Sequence, residues 1–177
     1  LGPRVADNMM ITRHVIREFG KYALGAEHSN LISSIVPGVM AQTGMESLEI
    51  IRGVIRETEP DCIVAVDALA ARSVKRLNRT IQITNTGINP GSGVGNHRHG
   101  LNRESVGIPV IAIGVPTVVD AATIVNDAIS GYYEEVDCTL NSFFVTPKDI
   151  DESIKRLSFT ISEGLNLAFE KTACTNS

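Results

Sequence analysis

The chain contains no tryptophan, and all aromatic residues together make up 5 % of its 177 positions. Its core must therefore be built from Ile, Val, Leu and Ala rather than from large rings. Cysteine is scarce as well: Cys62, Cys138 and Cys174 lie far apart with no Cys-x-x-Cys spacing. An odd, unpatterned set excludes a disulfide scaffold and reads as free thiols in a reducing compartment. Cys62 sits in an apolar run and is expected to fill core space. No apolar run approaches the ~18 residues of a membrane span. No signal-peptide pattern opens the chain, so no membrane partner is expected. The chain opens on Leu1 rather than Met, and an upstream segment is expected to precede it. Basic residues are outnumbered, 16 against 20 acidic ones. A net charge of −4 lacks the basic surplus of a nucleic-acid binder. The length suits one domain, able to bury roughly 70 % of its unfolded surface without a disulfide or metal.

Two unbroken apolar runs are present. Cys62-Ile63-Val64-Ala65-Val66 ends at Asp67, and Pro109-Val110-Ile111-Ala112-Ile113 ends at Gly114. Runs without polar alternation suggest strands buried on both faces, as in parallel sheets. Weaker strands are expected at Leu31–Val36 and Thr80–Thr84. Helical patterns lie between them. Thr43-Gly44-Met45-Glu46 and Thr117-Val118-Val119-Asp120 have the capping-box form, each opening a helix. Pro147 is expected just inside a third helix start, followed by Ile150, Ile154, Leu157, Ile161 and Leu165 at helical spacing. The stretch from about Arg4 to Ile16 also reads as helix. This order predicts a single α/β domain over residues 1–177, in three layers, with a mostly parallel sheet and helices on both faces.

In open parallel sheets, ligands bind beyond the carboxyl ends of the strands. The residues after the two runs are therefore the first site candidates. Asp67 at the end of an apolar strand is expected to have a raised pKa and to serve as general acid or base. The alternative is an N-cap for the next segment. Asp120 has the same two readings, with capping favoured by its spacing from Thr117. Arg72 and Ser73 follow Asp67 within one turn and could position a substrate; Arg72 could equally pair with Asp67. Ser73 is in no nucleophile elbow. Between Thr86 and Arg103 lie Gly87, Gly91, Gly93, Gly95 and Gly100. Gly91-Ser92-Gly93-Val94-Gly95 lacks the ending of a phosphate loop, so a substrate-gripping loop is expected, with Gly91 and Gly93 as contacts. His97 and His99 are expected to be solvated, because two histidines so spaced make a poor metal site.

Several longer stretches carry a resemblance. Asp67-Ala68-Leu69-Ala70-Ala71-Arg72-Ser73, Thr84-Asn85-Thr86-Gly87-Ile88-Asn89-Pro90-Gly91-Ser92-Gly93-Val94-Gly95-Asn96 and Gly107-Ile108-Pro109-Val110-Ile111-Ala112-Ile113-Gly114-Val115-Pro116-Thr117-Val118-Val119-Asp120-Ala121 resemble the germination proteases. Pro37-Gly38-Val39-Met40, Thr12-Arg13-His14 and Val145-Thr146-Pro147-Lys148 do so too, in order over most of the chain. The resemblance implies an atypical aspartic endopeptidase of the spore core, made as a zymogen, homotetrameric and needing no cofactor. It implies a fold similar to the hydrogenase-maturation proteases, and small acid-soluble spore proteins as substrates. One catalytic Asp of that family corresponds to Asp67. The other belongs to an Asp-Ala-Leu-Gly-Pro motif. This chain opens on Leu1-Gly2-Pro3, so that Asp and the strand before it are expected to lie upstream. The family also carries a considerably longer insertion than this chain has near residues 130–143.

The resemblance thus implies two carboxyls acting together, with Asp67 as one and the upstream Asp, or failing that Asp120, as the other. Two rival readings stay open. One is a metal-dependent hydrolase of the maturation type, with Asp67 as a ligand. The other is a non-catalytic α/β protein that binds a nucleotide-like ligand on the glycine-rich segment.

Overall fold

The two apolar runs find each other. In the computed structural model, which describes residues 1–25, 30–89, 99–129 and 142–170, they become neighbouring parallel strands. The first half of the chain holds α1 (Gly2–Asp7), α2 (Arg13–Phe19), α3 (Met40–Thr43), α4 (Ser47–Thr58), β1 (Ile63–Ala71), a 3-10 turn (Val74–Arg76) and β2 (Gln82–Thr84). The second holds α5 (Arg103–Val106), β3 (Val110–Asp120), α6 (Ala121–Ile129), β4 (Phe144–Val145) and α7 (Ile150–Phe169). Two compact units form: Leu1–Val36 with Ile154–Ser177, and Pro37–Ser153.

The sheet belongs to the second unit. β1 runs parallel to β3 from the Ile63–Val110 pair to the Ala71–Val119 pair. β2 and β4 both join β3 antiparallel, β2 at Ala112–Gly114 and β4 at Val119–Asp120. The expected α/β class is the observed one, with its longest pairing parallel. β3 is thus the strand on which the others assemble, and Val115 and Val119 within it are 0 % and 1 % exposed.

Both main strands outrun the sequence reading. β1 continues past Asp67 to Ala71, and β3 past Gly114 to Asp120. Ala68–Ala71 are residues of high helix propensity, but β3 offers them a ladder, and tertiary pairing overrides propensity. Pro116 has no N–H to donate and reads as a strand breaker. The sheet absorbs it with a bulge: Leu69 pairs with Pro116, Ala70 with Val118, and Thr117 is the extra residue. The freed carbonyls are satisfied from outside the ladder. Pro116 O accepts the Asn78 amide at 2.8 Å, and Thr117 O accepts the Thr146 hydroxyl at 2.9 Å.

Other expectations are corrected. Thr117 lies inside β3 and caps no helix; Asp120 caps α6 instead, accepting the Thr123 amide at 2.7 Å. The box at α4 is shifted, with Glu46 as N-cap and the Glu49 carboxylate taking its amide at 2.8 Å. Thr43 ends α3 before Gly44, whose φ of 70° closes that helix. α7 begins at Ile150, after a turn, so Pro147 stands before the helix rather than in it. Leu31–Val36 forms no strand, and Leu31, Ile35 and Val36 are exposed. Cys62 is exposed rather than core filler, one residue before β1 begins.

In the first unit, the expected single helix from Arg4 to Ile16 is two helices. Asn166 holds the break open: its side chain accepts the Met10 amide at 2.9 Å and donates to Asn8 O at 3.2 Å. Thr12, 1 % exposed, uses its hydroxyl on Asn30 O and on the Ile32 amide. Buried Ser158 and Ser162 return their hydroxyls to the carbonyls of Lys155 and Phe159 on the preceding turn of α7.

The core of the second unit sits on one sheet face. Leu48, Leu101 and Val110 are buried together, with Ile51, Ile63, Ala65, Ile88 and Val106 packed against them. Leu48 and Ile51 are the apolar side of α4. Arg52, one residue on, donates from Nε and Nη2 to Ser105 O at 2.9 and 2.7 Å, fastening α4 to α5. Leu101 is 5 % exposed, so Leu101→Ala removes a filled core position. The change is expected to lower unfolding free energy by roughly 2–5 kcal/mol in urea or guanidinium titrations. A loss below about 1 kcal/mol would show that the site collapses around the smaller side chain.

Candidate active site

Asp67 lies within β1, not after it. Its register partner on β3 is Gly114, whose partner in turn on β2 is Gln82. Alternate side chains of a strand share a face, so Ile63, Ala65, Asp67 and Leu69 look the same way. In-register partners of a parallel pair do likewise, which adds Val110, Ala112 and Gly114. This is the face that carries the Leu48–Leu101–Val110 cluster. Asp67 therefore stands on the apolar face of the sheet, one step beyond the core, and is partly exposed.

Its carboxylate is oriented by the backbone. The Ile63 amide donates toward β3, to Pro109 O at 3.0 Å. Successive N–H groups in a strand point to opposite edges, so the Ala68 N–H points away from β3. Asp67 Oδ1 accepts it at 2.8 Å. One oxygen thus serves an outward-facing amide, a role close to the capping alternative read from the sequence, although the setting is a strand and not a helix start.

The glycine-rich segment arrives on the same face. Ile88 and Leu101 form an antiparallel bridge, with N–H to O distances of 2.9 and 2.8 Å in the two directions. Both side chains belong to the core cluster. Gly87 has φ of 89°, and a methyl there would stand 2.8 Å from Asn102 Cα and closer still to the Leu101 carbonyl oxygen. Only glycine allows the two arms of the stem to approach like this. His99 Nδ1 lies 2.7 Å from Glu46 Oε2 while its side chain is 73 % exposed. His99 is thus solvent-exposed as expected, and it also reaches Glu46 at the start of α4. Gly91, Gly93 and His97 lie outside the described residues.

The remaining candidates are not brought to Asp67. Arg72 is exposed and five residues along an extended chain, about 16 Å away rather than one turn. Ser73 Oγ donates to Asp127 Oδ2 at 2.9 Å, and the Val74 amide donates to the same oxygen at 2.7 Å. The Ser73 hydroxyl is engaged in fastening the end of β1 to α6. Asp120 lies six residues beyond Gly114, about 20 Å along β3. Asp67 and Asp120 cannot share a proton across that distance. Among the described residues no three His, Cys, Asp or Glu side chains cluster so as to hold a metal ion.

Sequence reasoning passed over Asp127, gave Gly114 and Leu69 no role of their own, and took Glu46 only as the acidic member of a capping box. Gly114 had a visible signal, because a lone glycine in an apolar strand marks a close approach. Asp127 had none, and the contact of Glu46 with His99 had none, since those partners are distant in the chain.

Asp120 has its own electrostatics. Burial pushes its carboxyl up, but bonds from the Thr123 hydroxyl at 2.7 Å, the Thr123 amide and its own amide more than offset this, and the group sits below the ordinary carboxylate value. A depressed folded-state pKa means stability present above the unfolded value near 3.8 and lost as pH falls through the folded one. Asp120→Ala is expected to cost about 0.5–2 kcal/mol at neutral pH. The difference from wild type should shrink below about pH 4 in acid titrations of thermal stability; an undiminished difference would count against the ionised cap.

A family model described as germination protease matches residues 1–137. The germination protease of Caldanaerobacter subterraneus subsp. tengcongensis is 42 % identical over 200 residues, covering 96 % of this chain and 61 % of the relative. That of Clostridium tetani is also 42 % identical over 200 residues, with the same coverage. That of Bacillus velezensis is 55 % identical over 129 residues, 73 % of this chain and 34 % of the relative. The aligned span of 200 residues exceeds the 177 residues present here, so the first two carry residues within the match that this chain lacks. The chain spans about three-fifths of the length of those relatives, 61 % in both. On the family match over residues 1–137 and these identities, the chain belongs to the germination protease family.

Proposed function

We propose that this chain carries the catalytic region of an endopeptidase that cuts small acid-soluble spore proteins during germination. The observation that carries the reading is Asp67: a carboxylate mounted mid-strand on the apolar face of the sheet, the face on which the stem of the glycine-rich segment packs, in a member of the germination protease family. A rigid strand fixes such a group better than a loop would.

The mechanism that suits it is aspartic. Two carboxyls close together share a proton, because both cannot ionise easily. The ionised member takes a proton from water, which attacks the scissile carbonyl; the protonated member donates a hydrogen bond to the carbonyl oxygen. Asp67 is one member. Asp120 is too far along β3 to be the other. That role goes to the Asp of the Asp-Ala-Leu-Gly-Pro motif, two residues ahead of Leu1. The glycine-rich segment, with Gly91 and Gly93, grips the substrate backbone. Arg72 serves as a remote contact, since an extended peptide covers about 16 Å in five residues. Synthesis as a zymogen, assembly as a homotetramer, action in the spore core and kinship with the maturation-protease fold all belong to the same proposal.

Asp67→Asn, made in the full-length protein, tests the reading. Loss of roughly a hundred- to ten-thousand-fold in cleavage is expected, the usual contribution of a general acid or base. Circular dichroism and melting temperature should stay near wild type. A fully active variant would end the proposal.

A further inference from the structure

Leu69 follows Asp67 by two residues and so looks out from the same face of β1. Its register partner is Pro116, yet its side chain does not stand over Pro116 alone. It leans back over Gly114, the residue opposite Asp67. A methyl at Gly114 would stand 2.8 Å from Leu69 Cγ and closer still to Cδ1. The missing side chain of Gly114 is the space that Leu69 occupies. Leu69 nevertheless keeps part of its surface in solvent, whereas Val115 and Val119 on β3 are 0 % and 1 % exposed. It is an aliphatic group laid into the row of the carboxylate and left accessible there.

We propose that Leu69 is a specificity-determining residue of the peptidase site: its isobutyl group is the apolar wall for the substrate side chain next to the cut bond, and Gly114 makes room for it. The inference rests on the reading of Asp67 as a catalytic residue. An uncharged, aliphatic wall selects an apolar substrate side chain by fit, and a charged one would lose its hydration against it. Gly114 is a positioning residue, acting through Leu69 alone.

The test uses the full-length protein and peptides that differ only in the apolar residue beside the cut bond: Ala, Val, Leu or Phe. Leu69→Ala widens the site. The ratio of kcat/KM for Phe over Ala peptides should rise about tenfold, the scale of discrimination available to a hydrophobic pocket. Gly114→Ala should lower the melting temperature, and adding Leu69→Ala to it should recover part of that loss, because the clashing group is gone. An unchanged peptide ranking in Leu69→Ala overturns the wall, and strictly additive melting shifts overturn the contact. Should Leu69→Ala fail to fold, Leu69→Val and Leu69→Met carry the same comparison, and an unchanged ranking in both is equally fatal. Asp67→Asn run beside them separates the two readings. An active Asp67→Asn protein removes the catalytic role of Asp67 on which the wall rests. An inactive one, together with Leu69 variants that rank the peptides as wild type does, removes only the wall.

Discussion

The parallel ladder between β1 and β3 is the constraint on which the second unit depends. It sets the row in which Asp67 faces Gly114, and it fixes which side chains share the core face. β2 and β4 are short and have β3 as their sheet partner, so they inherit its position. Shifting the ladder by one residue would turn Asp67 to the opposite face and Ala68 into its place. The apolar pairs Ile63–Val110 and Ala65–Ala112, held under Leu48 and Leu101, oppose that slip at one end. The bulge at Thr117 and its two outside carbonyl partners oppose it at the other.

Much of this was legible in the chain, for physical reasons that differ from place to place. The cores of β1 and β3 announced themselves as apolar runs without polar alternation, although burial on both faces is not what they show: Ile63–Val66 of β1 are half-buried and Ile111 of β3 is exposed. Their far halves did not, because Ala68–Ala71 favour helix locally and Pro116 argues against any strand. Pairing and a bulge settle both, and neither is visible in a single segment. Leu31–Val36 shows the reverse case. A β-branched run gives a strand only if a partner presents its edge, and among the described residues none pairs with it.

The candidate site divides in the same way. Asp67 was found, since an acid at the end of an apolar run is conspicuous. Its partnership was misjudged: treating the next residues as a turn brought Arg72 and Ser73 close, and the extended backbone takes them away. Asp120 drew notice for its spacing from Thr117, and that spacing was real, but the strand runs through Thr117 and the capping is done by Asp120 itself. Side chains joined across the fold, such as Ser73 with Asp127 and His99 with Glu46, leave no trace in local pattern. They depend on the ladder being in place first.

The central position of β3 also bears on how the protein is made. β1 leaves the ribosome well before β3, with α5, the glycine-rich segment and β2 in between. A parallel pair cannot close through a tight hairpin, so its ladder waits for that whole intervening stretch and then bears the entropy of closing it. Until then β1 and β2 both lack the β3 ladder they pair with. Non-local pairings of this kind fold slowly and expose sticky surface meanwhile. Biosynthesis thus contains an interval, ended by the arrival of Val110–Asp120, in which the nascent chain keeps apolar surface open to association.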